Sequence, residues 1–186
     1  MLNWGILGTS FISDTMAQAI EKDAGSQIVA IAGRRTEALT EFQERYQIKQ
    51  TYLDYEAFLA DETIEVVYIA LPNHLHHDYV VKAAEAGKHI FCEKSLSIDM
   101  DKTKQALEAV EKHRVFFMEG LMYLTHPLMK KLTELLETEA IGKIRTISGQ
   151  YCAPISQFVN PGSKGAIYIF GFYPDSLLHL VLQTAY

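Results

Sequence analysis

The feature that most constrains the fold is an alternation, through residues 1–120, of short apolar segments with segments whose apolar residues recur at helical spacing. The short segments are apolar at successive positions, as in strands that are buried on both faces. Because parallel strands need long crossover connections, which helices usually supply, we predict a doubly wound parallel sheet covered by helices. Thr36 is the predicted cap of the second helix. The predicted strands are residues 4–8, 27–32, 66–71, 90–92 and 115–118, and the predicted helices are residues 11–21, 36–46, 55–60, 76–86 and 99–113.

The pattern changes after residue 120. A predicted helix over residues 127–137 precedes residues 143–151, whose apolar and polar side chains alternate as in a half-exposed antiparallel strand. A loop rich in Pro, Ser and Gly, residues 153–165, leads to a mostly apolar helix over residues 175–186. One strand cannot form the sheet that this helix would cover. We therefore expect residues 121–186 to be an incomplete second domain.

The composition excludes several classes of partner. A net charge of −6 with no basic stripe argues against binding to nucleic acid. No apolar run approaches the ~20 residues that cross a bilayer, and the first residues lack the basic start of a signal peptide. Cys92 and Cys152 fit reduced thiols better than a disulfide framework. We expect a cytoplasmic protein with neither a membrane nor a nucleic-acid partner.

A carboxylate and an amine, Glu93 and Lys94, follow the predicted strand at residues 90–92. In open α/β sheets, ligands bind at the carboxyl ends of the strands. Burial there lowers the pKa of a lysine, which can then exchange protons with a hydroxyl or carbonyl group. The alternative is a solvated lysine just past a strand, which has the same sequence signature.

The first predicted strand leads into a turn and a helix where dinucleotide-binding folds carry the G-x-G-x-x-G pattern. With Gly8 as the first glycine of the pattern, Ser10 and Ser13 replace the second and third. Gly8 can still make the tight turn, and the helix N-terminus can still bind a pyrophosphate. The alternative is a purely structural turn. We favour a dinucleotide site, and its predicted binding residues in this turn are Gly8, Thr9, Ser10, Phe11 and Ile12.

Two arginines, Arg34 and Arg35, stand at the end of the second predicted strand. NAD enzymes usually place an acidic residue there for the ribose hydroxyls, whereas a guanidinium can bind a 2′-phosphate through two hydrogen bonds. This favours NADP as the cofactor, with NAD possible. The alternative is a solvated arginine pair.

Three histidines, His74, His76 and His77, lie close together in sequence. Their spacing does not match a zinc signature, and no second group of ligands completes a tetrahedral site. We predict no metal site.

Taken together, these segments resemble the Gfo/Idh/MocA family, named after glucose-fructose oxidoreductase and inositol dehydrogenase. The chain has Tyr-Pro at positions 173–174. The family subgroup with Tyr-Pro at this site looks like the dihydrodiol and xylose dehydrogenases, which favour NADP. The matching stretches are residues 5–13, 71–73 with His76, 87–94, 118–127 and 165–174.

The resemblance implies a Rossmann domain at residues 1–120 and, at residues 121–186, the beginning of a substrate and oligomerisation domain with an open antiparallel sheet. It also implies a homo-oligomer that transfers a hydride between a nicotinamide and a hydroxyl-bearing carbon of a small-molecule sugar, polyol, cyclitol or diol. The family's second domain is longer than the segment present here.

The resemblance also assigns roles to residues. Lys94 matches the family's active-site lysine, and Tyr173 matches its general acid or base. Positive charge on Lys94 would lower the pKa of Tyr173. The residues that match the nicotinamide side of the cofactor site are Leu71, Asn73, His76, Glu93 and Lys94.

The chain departs from the family pattern at several positions. Ile169 occupies the place of an aspartate, and Ser10 and Ser13 replace the small residues of the phosphate turn. These departures, together with the short second domain, motivate an alternative function: a non-catalytic nucleotide-binding remnant or an assembly module. In that case, we expect the apolar side chains of the last helix to be exposed and to promote association.

Overall fold

The computed structural model of the protein describes residues 1–154 and 166–185. The chain divides into two compact units, Met1–Gly120 and Leu121–Tyr186. No helix among the described residues is both long and apolar enough to cross a bilayer.

The first unit contains a six-stranded sheet with the strand order β3-β2-β1-β4-β5-β6. All five pairings between neighbouring strands are parallel, which confirms the predicted doubly wound sheet. The strands are β1 Leu2–Leu7, β2 Ser26–Ala32, β3 Gln50–Tyr52, β4 Val66–Ile69, β5 His89–Cys92 and β6 Phe117–Glu119, and the helices are α1 Phe11–Glu21, α2 Thr36–Tyr46, α3 Tyr55–Leu59, α4 Asn73–Glu85 and α5 Met100–His113.

Three local features differ from the sequence predictions. Strand β3 was not predicted, because its three residues are too few to show a period. Thr36 is not the cap of α2: the N-cap is Arg35, whose backbone is extended and whose side chain makes no capping bond. Helix α4 begins at Asn73, three residues earlier than predicted, directly after the extended residue Pro72.

The core lies on both faces of the sheet. One hydrophobic cluster contains Leu7, Val67 and Ile69, and the other contains Ile6 and Tyr68. Neighbouring residues of one strand therefore enter different clusters, because successive side chains point to opposite faces. Each fully buried side chain of this size contributes about 1.5–3 kcal/mol to stability.

The regular secondary structure in the described part of the second unit is helical. It contains a 3₁₀ turn, Met122–Thr125, and the helices α6 Pro127–Glu137, α7 Ala166–Phe170 and α8 Phe172–Ala185. The predicted helix over residues 127–137 is confirmed. Helix α8 begins three residues earlier than predicted, with Pro174 in its first turn, where a missing N–H is tolerated.

The predicted strand over residues 143–151 is wrong for this structure, which assigns no strand there. A strand is stable only when a neighbour accepts its backbone hydrogen bonds, and the described residues of this unit offer no such neighbour. The open antiparallel sheet therefore stays a prediction. Most of the predicted loop at 153–165 lies outside the described residues.

The apolar side chains of α8 are less exposed than expected. Leu178 and Leu182 are exposed, but Val181 is buried, and Leu177 and Leu180 are half-buried. Helix α8 packs against α6 and α7 within the second unit, which covers part of its apolar surface.

Candidate cofactor-binding and active site

The turn after β1 is the first part of the candidate site. Gly8 has φ +118°, a conformation that side chains rarely adopt. A Cβ on Gly8 would lie 2.6 Å from the carbonyl oxygen of Ala70. The turn therefore passes directly over the end of β4, and only glycine allows this approach.

The two serines that replace glycines in this turn form a capping box. Ser10 Oγ accepts a hydrogen bond from the Ser13 N–H at 3.4 Å, and Ser13 Oγ accepts one from the Ser10 N–H at 3.2 Å. The N–H groups of Phe11 and Ile12, in the first turn of α1, have no carbonyl within the helix to bond. These N–H groups and the positive end of the helix dipole fit a phosphate group.

A cleft of about 400 Å³ lies beside this turn, at the end of β2. Glycine at position 33 gives Thr9 room, since a Cβ there would lie 2.7 Å from Thr9 Cγ2. The structure thus brings together Thr9, Arg34 and Arg35, three of the predicted cofactor-binding residues. The residues that line the cleft are Thr9, Gly33, Arg34, Arg35 and Tyr55.

Tyr55 was not predicted as a site residue. It begins α3, directly after the short strand β3, so its place in the cleft depends on an element that the sequence did not reveal. Burial raises the pKa of Tyr55, and Arg34 opposes this shift. Its ring meets the ring of Tyr79 edge to face, with centroids 5.3 Å apart. Tyr55 therefore presents a fixed aromatic wall beside the arginines.

The start of α4 carries an unsatisfied polar group. Asn73 Oδ1 is buried and has no hydrogen-bond partner among the residues that the structure describes. Leu71 lies against the Gly8 turn, with Cδ2 3.6 Å from the position of a Cβ on Gly8. Since buried polar atoms are nearly always bonded, the Asn73 oxygen fits a ligand donor, such as a hydroxyl or amide group of the cofactor.

His76 lies in the interior of the first unit, and its predicted cofactor-binding role stays a prediction. It is 1% exposed, with Nδ1 2.7 Å from the carbonyl oxygen of Ser95 and Nε2 2.6 Å from that of Leu71. Burial lowers the pKa of His76. Both ring nitrogens face backbone carbonyls, and the neutral ring that burial favours donates a hydrogen bond to one of them. The ring joins the segment after β4 to the segment after β5.

Glu93 and Lys94 follow β5, as predicted, and both are half-buried. Tyr68, on β4, donates a hydrogen bond of 2.6 Å from its hydroxyl to Glu93 Oε1. Burial raises the pKa of Glu93, and the Tyr68 hydrogen bond opposes this shift. Burial lowers the pKa of Lys94, against the attraction of the carboxylates of Glu93 and Glu119. The pKa of Lys94 is thus shifted downwards, the direction that proton exchange near neutral pH requires.

Glu119 is a further half-buried carboxylate of this group for which the sequence suggested no role. Its Oε1 accepts a hydrogen bond from the Leu96 N–H at 2.7 Å. Burial raises the pKa of Glu119. In the sequence, Glu119 was marked only by the match of residues 118–127 to the family. That match did not indicate which groups the Glu119 side chain contacts.

Tyr173 belongs to the second unit, in the first turn of α8. Its half-buried ring packs against the rings of Tyr151 and Tyr123, with centroids 5.2 and 5.8 Å away. Its role as a general acid or base stays a prediction. Ile169, in α7, is half-buried in the same unit.

Comparison with known proteins identifies the family. Residues 2–121 match the Gfo/Idh/MocA model, which describes an oxidoreductase family with an NAD-binding Rossmann fold. The chain belongs to this family. Its first unit is therefore an NAD(P)-binding Rossmann domain.

Curated relatives support the predicted subgroup. A D-xylose 1-dehydrogenase (NADP(+)) of Haloferax volcanii is 34% identical over 187 residues, which cover 97% of this chain and 57% of the relative. A trans-1,2-dihydrobenzene-1,2-diol dehydrogenase of Xenopus laevis is 30% identical over 186 residues, 97% of this chain and 56% of the relative. The chain thus spans just over half the length of these relatives.

A solved structure shows the same fold. A 3-ketoreductase from Actinomadura kijaniata, in complex with NADP and TDP-benzene, is 27% identical and superposes with a TM-score of 0.85. The match covers 97% of this chain and 57% of the reductase.

Proposed function

We propose that the protein is an NADP-dependent oxidoreductase that transfers a hydride between the nicotinamide and a hydroxyl-bearing carbon of a sugar, cyclitol or diol. The observation that carries the proposal is the half-buried Lys94 at the carboxyl end of β5, with its pKa lowered by burial. Relatives named as xylose and dihydrodiol dehydrogenases support the substrate class.

Three parts of the first unit would hold the cofactor. The N-terminus of α1 would bind the pyrophosphate through its backbone N–H groups. Arg34 and Arg35 would bind the 2′-phosphate, which is the group that distinguishes NADP from NAD. The unpaired oxygen of Asn73 would accept a hydrogen bond on the nicotinamide side. When bound, the cofactor supplies the hydride chemistry.

Lys94 would handle the proton that accompanies the hydride. When a carbinol carbon loses a hydride, its hydroxyl loses a proton, and a base must lie within hydrogen-bond reach. Burial raises the fraction of Lys94 that is a neutral amine, so Nζ would take the proton. Glu93, fixed by Tyr68, would keep Lys94 at the strand end.

Replacement of Lys94 tests this function. In Lys94→Ala, we expect the reduction of NADP by a panel of sugars, cyclitols and diols to fall at least about a hundredfold, since one positioned acid or base contributes about 10²–10⁴-fold. Affinity for NADPH, measured by fluorescence titration, should change little. The control is Lys112→Ala, which removes an exposed lysine of α5. Undiminished turnover with lost cofactor affinity would refute the assignment.

The alternative function, a non-catalytic nucleotide-binding remnant or assembly module, is not favoured. The relatives that match almost the whole chain are named as dehydrogenases. The cytoplasmic location and the homo-oligomeric state remain proposals.

A further inference from the structure

Glu119 lies at the end of β6, next to the residues that follow β5. The two strands pair in parallel, with Cys92 opposite Glu119, and the Gly120 N–H donates a hydrogen bond of 2.7 Å to the Cys92 carbonyl. A Cβ on Gly120 would lie 3.2 Å from Glu93 Oε1. The absence of a side chain at Gly120 therefore lets the end of β6 pack closely against Glu93.

The Glu119 carboxylate also holds the backbone just after Lys94. It accepts the Leu96 N–H at 2.7 Å, a contact between residues 23 positions apart. On the other side of the same segment, His76 Nδ1 contacts the Ser95 carbonyl at 2.7 Å. Ser95 and Leu96 are both buried. The segment that carries Lys94 is thus attached to β6 on one side and to α4 on the other.

The two carboxylates have separate hydrogen-bond donors. Tyr68 donates to Glu93, and the backbone of Leu96 donates to Glu119. Both carboxylates attract the ammonium group of Lys94. Glu93 is next to Lys94 in sequence, whereas Glu119 belongs to β6. The negative charge of Glu119 therefore lies near Lys94 only because β6 pairs with β5.

We propose that Glu119 is a positioning residue for Lys94, which fixes the 95–96 backbone through the Leu96 N–H and holds the ammonium form of Lys94 through its own charge. The consequence for catalysis rests on the proposed function of Lys94. The structural and electrostatic roles do not, so they can be tested without turnover.

The experiment separates the charge of Glu119 from its hydrogen bond. Glu119→Gln keeps an oxygen acceptor for the Leu96 N–H and removes the charge, whereas Glu119→Ala removes both. The matched control is Glu108→Gln, an exposed position on α5. The readout is the rate at which acetic anhydride acetylates Lys94, followed against pH by peptide mass spectrometry, because only the neutral amine reacts.

In Glu119→Gln, we expect acetic anhydride to acetylate Lys94 about tenfold faster than in the native chain, at pH values below the Lys94 midpoint. The reason is that loss of a neighbouring opposite charge lowers the pKa of a lysine by about one unit or more. Glu108→Gln should match the native chain. An unchanged Lys94 midpoint in a folded Glu119→Gln protein would overturn the charge role. A folded Glu119→Ala protein in which Lys94 reacts just as in Glu119→Gln would overturn the role of the Leu96 hydrogen bond. Circular dichroism checks that each variant folds.

The pH profile of turnover distinguishes the two proposals. If Glu119→Gln shifts both the acetylation midpoint and the Lys94 limb of the profile to lower pH, both proposals are supported. A shifted midpoint in a protein without activity on any hydroxylated substrate would contradict the proposed function and leave the role of Glu119 supported. Normal activity with an unshifted midpoint would contradict only the role of Glu119.

Discussion

At the scale of single residues, the candidate site depends on side chains that already have partners. The Ser10 hydroxyl caps α1, the His76 ring joins two backbone carbonyls, and the Tyr68 hydroxyl fixes Glu93. Such contacts hold the site in shape before a ligand binds, which reduces the entropy that binding must overcome. The groups that remain available to a ligand are the buried Asn73 Oδ1 and the exposed guanidinium groups of Arg34 and Arg35.

Cofactor choice is expected to depend on Arg34. In Arg34→Ala, affinity for NADPH should fall about tenfold to a hundredfold while affinity for NADH changes less than about threefold, because a charge-assisted hydrogen bond contributes about 1.5–3 kcal/mol. Fluorescence titration with each cofactor measures this, and 2′,5′-ADP against 5′-AMP isolates the 2′-phosphate. Arg145→Ala, at an exposed position of the second unit, is the control for lost charge. Equal weakening of both cofactors would contradict the phosphate role.

At the scale of secondary structure, the site residues of the first unit come from strand ends. Gly8 follows β1, Arg34 follows β2, Lys94 follows β5, and Glu119 ends β6. In a parallel sheet these ends share one edge, so residues far apart in sequence come together there. The periodicity of the apolar residues predicted this arrangement. It could not reveal β3, and therefore did not reveal Tyr55.

The start of β5 depends on a buried lysine that has no part in the site. Lys88 is 8% exposed, and its Nζ donates to the carbonyls of Asp61 and Ile64 at 2.7 and 2.9 Å. Lys88→Met should lower the free energy of unfolding by about 2–3 kcal/mol, because the segment before β4 loses two charge-assisted bonds. Denaturant unfolding measures the loss. The control is Lys104→Met, on the exposed face of α5, whose free energy of unfolding should stay within about 0.5 kcal/mol of that of the native chain. An equal loss in both variants would show that the Lys88 contacts do not stabilise the fold.

At the scale of the whole molecule, the two units differ in how they bury apolar groups. The first has hydrophobic clusters on both faces of its sheet. In the described part of the second, the buried apolar side chains are those of Leu136 and Val181. Cofactor binding is expected to act on the stability of the first unit, because this unit contains the whole predicted dinucleotide site.

NADPH should stabilise the protein, and more so the further its concentration exceeds its Kd. At a concentration of about 100 times its Kd, a ligand that binds only the folded state raises the free energy of unfolding by about 2.7 kcal/mol. Thermal unfolding in the presence of NADPH should therefore occur at a higher temperature than with the same concentration of NADH. The Arg34→Ala variant should lose most of this difference. Identical Tm values with both cofactors in the native protein would contradict a preference for NADP.

The sequence by itself determined the parallel sheet, the glycine turn, and the positions of Arg34, Arg35, Glu93 and Lys94 after their strands. It could do so because burial on both faces of a strand, a turn that requires glycine and a polar group after an apolar run all leave local patterns. Only the tertiary structure decided which of these groups meet. The contacts of Tyr68 with Glu93, of Glu119 with Leu96 and of His76 with Ser95 join residues 25, 23 and 19 positions apart. No local pattern records such contacts, because they form only when separate segments of the chain pack together.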